Sequence, residues 1–240
     1  MKLRLMLVAS SALLLAGCPF DDDDSPSTST NPDSPSTPTS ASYTVTVKNL
    51  TAAQPVSPVA VLAHNDNFAL FTTGEAASVP LEVMAEGGNN ADLLAFSSDD
   101  NVTLTMGGTG PIPPGGQESF TFTVDPSSAG YLSVAGMLVN TNDAFAGFSA
   151  MDISALEAGD KERVNAVIWD AGTEVNDELA ANIPGPAGGG EGVNAARGSD
   201  DQVTVHPGVI SSDDGLTTSA LLTQHRFLNP GISVTIERTE

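Results

Sequence analysis

The sequence predicts an all-β fold, because short segments that alternate apolar and polar residues recur between turn-forming residues along most of the chain. The clearest segment is SYTVTVKNL at 42–50, where Tyr43, Val45 and Val47 fall on one face, as expected of a half-buried strand. About eight such segments, separated by Gly, Pro, Asn and Asp, indicate an antiparallel sandwich or barrel. No internal repeat is visible, so a solenoid or propeller is not predicted.

The other elements follow in chain order from the same signals. Further strands are predicted at 58–63, 101–106, 117–124, 131–139, 163–169, 201–206 and 231–237. The segment at 77–88, ASVPLEVMAEGG, differs: Ser78 stands at an N-cap position, Pro80 comes early and Gly87 near the end, which predicts one short helix. The Gly-rich stretch at 183–194 lacks Gly-Lys-Ser/Thr, so it is predicted to be a long loop and not a phosphate-binding site.

The first residues of the chain predict export. Lys2 and Arg4 precede an apolar run that ends in LAGC at 15–18, the pattern of a lipoprotein signal peptide over 1–17. The run is too short to cross a bilayer of about 30 Å as a permanent helix. Cys18 is the only cysteine, so it is the expected lipidation site, and the mature protein would contain no internal disulfide.

The region that follows Cys18 predicts a tether ahead of one domain. Residues 18–41 are dense in Ser, Thr, Pro and Asp and contain almost no large apolar side chain, so this region is expected to be disordered. At about 3.1 Å per residue, it would hold a domain several tens of ångströms from a membrane. Residues 42–240 are long enough for a single domain with its own core. The expected location is the cell envelope, lipid-anchored outside the cytoplasmic membrane.

The charge of the chain limits its partners. There are 30 acidic and 8 basic residues, for a net charge of −22. Binding of nucleic acid through phosphate contacts is therefore excluded, whereas cations are attracted. A strongly acidic surface is also an adaptation to salty surroundings, so net charge alone does not identify a metal site.

The stretch WDAGTEVNDE at 169–178 places four carboxylates after an apolar run that ends at Trp169, the expected last core residue of its strand. Gly172 lets the backbone turn tightly, so that Asp170 and Glu174 can face one centre. The spacing does not fit an EF-hand loop. The other two acids of the stretch, Asp177 and Glu178, are expected to face solvent.

A third candidate acid is Asp143, in NTNDAFAGF at 140–148, which follows an apolar strand and precedes an aromatic one. If the two strand ends are neighbours in space, Asp143, Asp170 and Glu174 form a site of three carboxylates. Carboxylate oxygens are the ligands that calcium prefers in proteins. Solvated turns remain the simple alternative.

Several segments resemble the spondin N-terminal domain family, which includes domains of F-spondin and mindin. They include LEVMAEGG at 81–88, AGMLVNTNDAFAGF at 135–148, WDAGTEVNDE at 169–178 and VTVHPG at 203–208. The resemblance extends over nearly all of 42–240. Its most specific parts are the Trp-Asp-Ala-Gly-Thr segment and the Asp-containing strand end at 143.

The resemblance implies a calcium-binding β-sandwich similar to a C2 domain, with Ca²⁺ ligands at Asp143, Asp170 and Glu174. Two positions depart from the family pattern: Glu174 stands where Asp is usual, and Ala144 replaces an aromatic residue beside Asp143. Both would alter affinity without removing an oxygen site. The implied role is adhesion or interaction with an extracellular protein or polysaccharide, and not catalysis.

Other chemistries have weaker signals. His64, His206 and His225 lack the spacing of a zinc site and are expected to be structural. No Gly-x-Ser-x-Gly elbow occurs, and nothing in the sequence pairs a particular serine with a base. Two alternatives stay open: an exported hydrolase acting on polysaccharide with the same acidic cluster as its active site, and a salt-adapted envelope protein with no specific metal site.

Overall fold

The computed structural model describes residues 40–194 and 201–240. The predicted signal peptide at 1–17, the lipidation site Cys18 and almost all of the predicted tether lie outside these residues. Ala41, the last residue of the predicted tether, already belongs to the first strand.

Strands dominate the described residues, and helices are few and short. The strands are β1 (Ala41–Asn49), β2 (Ala60–His64), β3 (Val102–Gly107), β4 (Gln117–Val124), β5 (Tyr131–Met137), β6 (Ala144–Asp152), β7 (Lys161–Asp170), β8 (Thr204–Val205) and β9 (Ile232–Arg238), and the α-helices are α1 (Val79–Gly87) and α2 (Ala91–Leu94). The predicted all-β fold is confirmed.

The strands pair antiparallel in the order β3-β2-β5-β6-β7-β9-β1-β4, and β8 pairs with β7. The long strand β7 belongs to both layers of the sandwich, because residues 161–166 pair with β9 whereas residues 167–170 pair with β6. One layer, here called layer A, therefore contains β4, β1, β9 and the first part of β7. Layer B contains β3, β2, β5, β6, the last part of β7 and β8.

The main core lies between the two layers. Val45 and Phe120 of layer A belong to the same buried apolar cluster as Val61 and Val134 of layer B, because alternate residues of each strand point to one face. Layer B also buries its other face: Leu81 and Met84 of α1 join Leu62 and Phe145 in a second buried cluster. On the outer side of layer A, by contrast, side chains such as Ser119 and Thr121 are exposed.

Some elements differ from the sequence expectations. The strand predicted at 201–206 is reduced to Thr204–Val205. Helix α1 begins directly after Ser78, but the Ser78 side chain makes no capping hydrogen bond, and the residue that ends the helix in the left-handed conformation is Gly88, at φ 68°. A second helix, α2, was not predicted, because a single turn has too few residues to show a periodic pattern.

Candidate functional site

The strand register places the two predicted acidic strand ends side by side. Ala144, the first residue of β6, pairs with Asp170, the last residue of β7. Beyond this pair the backbone contact continues, because the Ala171 N–H donates to the Asp143 carbonyl oxygen at 3.3 Å. Asp143 and Asp170 therefore lie at the same end of layer B, as the sequence predicted if the two strands were neighbours.

Asp143 is the most deeply buried of these acids, with no exposed surface. Its Oδ2 accepts hydrogen bonds from the backbone N–H groups of Thr173 at 2.8 Å and Glu174 at 3.0 Å. Its Oδ1 is buried and has no hydrogen-bond partner. Burial, together with the nearby charge of Asp170, raises the pKa of the Asp143 carboxyl to about 7, because a buried carboxylate without a compensating charge is costly.

The connection after β7 depends on Gly172. Its φ of +72° lies in the left-handed region, and a Cβ at this position would lie 2.4 Å from the Gln202 carbonyl oxygen, so only glycine fits. The Gly172 N–H donates to Asp170 Oδ1 at 2.8 Å. This turn directs the following backbone toward Asp143 and places Glu174, itself buried, beside it.

A chain of hydrogen bonds orients Asp170. Its Oδ2 accepts from the Asn176 side-chain amide, and Asn176 Oδ1 lies 3.2 Å from His206 Nε2. The Gly208 N–H donates to His206 Nδ1 at 2.9 Å, which leaves the ring proton on Nε2, directed at Asn176. Burial lowers the pKa of His206 to about 4, so the ring is neutral near pH 7 and its proton position is set by these partners.

Glu178 was expected to face solvent, and this expectation was wrong, because its side chain is 1% exposed. Glu178 Oε1 accepts from the Ile210 N–H at 3.1 Å, whereas Oε2 is buried without a partner. Burial is the main cause that raises the pKa of Glu178 to about 7, and the charges of Asp177 and Asp143 add to it. A second buried carboxyl therefore lies within electrostatic reach of Asp143.

Asn142 connects these acids. Its Oδ1 accepts from the Glu178 N–H at 3.3 Å, and its Nδ2 donates to Glu174 Oε2 at 3.4 Å and to Asp177 Oδ1 at 3.2 Å. Asp177 was also expected to be solvent-facing but is half-buried. We call Asn142, Asp143, Asp170, Glu174 and Glu178 the acidic cluster.

The acidic cluster borders a cavity of about 280 Å³ lined by Asp170, Gly172, Glu174, Val175, Asn176, Gln202 and Thr204. The buried Asp143 is not part of this lining. Within 40–194 and 201–240, no three His, Cys, Asp or Glu side chains are grouped closely enough to hold a metal ion. The backbone segments that carry the three predicted ligands are thus brought together, but their carboxylate groups do not converge on one point.

The other two histidines make contacts with protein groups. His225 Nδ1 accepts from the Leu222 N–H at 3.0 Å in a single helical turn. His64 Nδ1 lies 2.7 Å from the Asn65 carbonyl oxygen, and its Nε2 lies 2.8 Å from Ser133 Oγ. No sequence motif predicts this serine–histidine pair, which depends on the pairing of β2 with β5. Both residues are fully buried, so a substrate cannot reach the serine.

Comparison with known proteins identifies the family of this chain. The model of the Spondin_N family matches residues 46–178, which is more than half of the chain and includes Asp143, Asp170, Glu174 and Glu178. A search of the curated proteins found no match. Membership of this family supports an extracellular location. The family is not known as enzymatic. In the part of the chain that the structure describes, no helix is long and apolar enough to span a membrane.

Proposed function

Because the chain belongs to the spondin N-terminal domain family, we propose that it is a calcium-binding module that acts in adhesion or matrix interaction outside the cytoplasmic membrane. The sequence pattern around Cys18 supports a lipid anchor that attaches it to the cell envelope. Its partner would be an extracellular protein or a polysaccharide.

The observation that carries the calcium proposal is Asp143, a fully buried carboxyl whose Oδ1 has no hydrogen-bond partner. Oxygen atoms of this kind are the ligands that Ca²⁺ takes, six to eight at a time and in flexible geometry. Asp170 is adjacent through the strand pairing, and Glu174 is adjacent through its own N–H. The high local negative charge would be offset by a bound cation, which explains how the fold tolerates several buried acids in one place.

The residues present fit a calcium site, although not in the conformation described. Because the carboxylate groups do not yet converge, binding requires Asp170 or Glu174 to change rotamer on a backbone that is already in position. Glu174 has one more methylene than the Asp usual in the family, which extends its reach. The remaining ligands would be carbonyl or amide oxygens and water, as is common for Ca²⁺.

Thermal unfolding of the purified protein in Ca²⁺, Mg²⁺ or chelator tests this proposal. A ligand that binds only the folded state at a hundredfold excess over its Kd stabilises that state by about 2.7 kcal/mol, which raises the Tm by roughly 5–10 °C for a domain of this size. We expect this rise with Ca²⁺ and its loss in Asp170→Asn.

A matched control is Asp152→Asn, because Asp152 is an exposed acid at the opposite end of β6 and its side chain accepts hydrogen bonds from Ser154. It should keep the full Ca²⁺ effect. If millimolar Ca²⁺ leaves the Tm unchanged, calcium binding is ruled out. A Ca²⁺ effect that persists in Asp170→Asn would place the ion elsewhere.

A further inference from the structure

The outer side of layer A is a continuous polar surface built from the outward positions of four neighbouring strands. Residues that pair across neighbouring strands align their side chains in rows perpendicular to the strands. One row runs from Arg163 on β7 through Thr235 on β9 and Thr46 on β1 to Ser119 on β4. Hydroxyl groups of β1 and β4 are linked across the strands, as in Thr46 with Ser119 at 2.8 Å and Ser42 with Thr123 at 2.9 Å. The outward positions of β1, β4 and β9 and of residues 161–165 carry no apolar side chain. We call this surface the polar face.

The charge of the polar face is opposite to that of the molecule. Among the described residues, its outward positions carry three basic side chains, Lys48, Lys161 and Arg163, but a single acidic one, Glu237. The neighbouring Glu162 alternates to the other side of β7. A chain with a net charge of −22 therefore presents one surface with a positive net charge, and this asymmetry requires an explanation beyond solubility.

Two of the three basic groups are available to a ligand. Lys161 pairs with Glu237 at 3.0 Å, and the Lys161 side chain remains 59% exposed. Arg163 Nε donates to Ser233 Oγ at 2.9 Å, which orients the guanidinium without neutralising it. Lys48 is exposed, and among the described residues neither Lys48 nor Arg163 forms a salt bridge. The pairings of β7 with β9 and of β9 with β1 separate these two cations by two strands and by two residues along the strand, or about 12 Å between their Cα atoms.

We propose that the polar face binds an acidic polysaccharide, through its carboxylate or sulfate groups, as the interaction partner of this protein. Arg and Lys bind such groups directly, and Arg can do so with two parallel hydrogen bonds. The Ser, Thr, Asn and Gln side chains around them provide donors and acceptors for sugar hydroxyls. Within a row, side chains repeat at the strand spacing of about 4.8 Å, which is comparable to the length of one sugar unit in an extended chain.

The composition of the polar face argues against a membrane as the occupant. It has no apolar or aromatic side chain to enter the lipid, which a protein element that lies on a bilayer requires. The polar face lies on layer A, whereas the acidic cluster lies at an end of layer B, so this proposal does not depend on calcium binding.

The test measures binding of the full chain to dextran sulfate and polygalacturonate, with neutral dextran as the control polymer, in low salt and in chelator. One ion pair at about 4 Å in water changes a binding constant about fivefold. The double variant Lys48→Gln, Arg163→Gln should therefore bind both acidic polymers about 25-fold more weakly. Glu237→Gln should bind them about fivefold more tightly, and raising the salt concentration should weaken all of these interactions.

A control variant with the same change in net charge is Arg226→Gln, Thr218→Glu, because both residues are exposed and Arg226 pairs with Asp214 away from the polar face. It should bind the acidic polymers like the unmodified chain. Equal losses in both double variants, or no binding to either acidic polymer in low salt, would overturn the proposal. The proposal would also be overturned if the chain binds no acidic polymer but binds phosphatidylglycerol vesicles, or associates with itself, and only the Lys48→Gln, Arg163→Gln variant loses that interaction.

Discussion

At the scale of single residues, the orientation of Asp170 depends on a histidine that it does not touch. His206 holds the Asn176 amide, and Asn176 in turn holds Asp170 Oδ2. Groups that orient metal ligands in this way affect metal affinity on the order of 10- to 100-fold when they are removed. His206 is therefore a positioning residue in the proposed site.

We expect His206→Ala to raise the Kd for Ca²⁺ by at least about tenfold, measured by isothermal titration calorimetry. His206→Gln should recover part of this affinity, because its amide can still donate to Asn176. The matched control is His64→Gln, since His64 is equally buried but contacts Asn65 and Ser133 and not the acidic cluster. His206→Ala and His64→Gln should both lower the Tm. An equal loss of Ca²⁺ affinity in these two variants would show that His206 has no specific positioning role.

Residues near strand ends could be predicted from the sequence, but the burial of loop residues could not. Asp143 and Asp170 follow apolar segments, so local pattern places each of them at a strand end, whereas their proximity comes from the pairing of β6 with β7. Glu178 is different: its carboxyl is covered by Ile210, and its carbonyl oxygen accepts from the Ala220 N–H. These contacts come from segments more than 30 residues away, and no local signal in VNDE distinguishes a buried acid from a solvated one.

At the scale of elements, the turn between β7 and the acidic loop is fixed by its conformation and by a close neighbour. Gly159, in the turn before β7, also has a positive φ, of +94°, but a Cβ there would meet nothing within 4 Å, whereas at Gly172 it would meet Gln202 backbone atoms. A substitution at Gly159 therefore introduces backbone strain alone, whereas one at Gly172 introduces both backbone strain and steric overlap.

We expect Gly159→Ala to lower the free energy of unfolding by about 1–2 kcal/mol, the cost of a left-handed conformation for alanine. Gly172→Ala should cost a further 1–3 kcal/mol or so for overlap and should also weaken Ca²⁺ binding, because the turn positions both Asp170 and Glu174. Urea unfolding and Ca²⁺ titration of the two variants measure these effects. Equal costs in the two variants, with unchanged Ca²⁺ affinity, would contradict this account of the turn.

The strand pattern of the sequence was a good guide to the elements, with one informative exception. Segments such as 117–124 alternate cleanly and form strands over those residues, because one face packs on the core and the other meets solvent. The segment at 201–206 also alternates, but only Thr204 and Val205 pair with β7. A strand at the rim of the sheet is limited by the length of partner available, and this length is not a property of its own sequence.

At the scale of the whole molecule, buried ionisable groups make stability depend on pH. The pKa values of Asp143 and Glu178 are raised to about 7, so these groups stabilise the fold when protonated, and this contribution is lost as the pH rises through 7. The pKa of His206 is lowered to about 4, so its protonation opposes folding only below about pH 6.5, the ordinary value for histidine. Between pH 6.5 and 8, Asp143 and Glu178 therefore decide whether the stability of the fold rises or falls with pH.

In chelator, we expect a higher Tm at pH 6.5 than at pH 8, with a smaller difference in Glu178→Gln, which cannot ionise. Saturating Ca²⁺ should reduce or reverse the difference, because protons and the cation compete for the same carboxylates. Differential scanning calorimetry at the two pH values, with and without Ca²⁺, measures this. A chelated protein that is more stable at pH 8 would contradict the assignment of Asp143 and Glu178 as uncompensated buried acids.

The position of β1 inside layer A also has a mechanical consequence. β1 pairs along its length with β4 on one side and β9 on the other, and Ser42 exchanges backbone hydrogen bonds with Thr239 and Glu240 near the C-terminus. A force that enters at Ala41 along the strand axis would load these parallel rows of hydrogen bonds together, in shear, and could not peel them apart one after another. If the molecule is held by a bound surface and pulled at its N-terminal side, β1 is the strand that takes up the force, and its two rows of hydrogen bonds would resist unfolding.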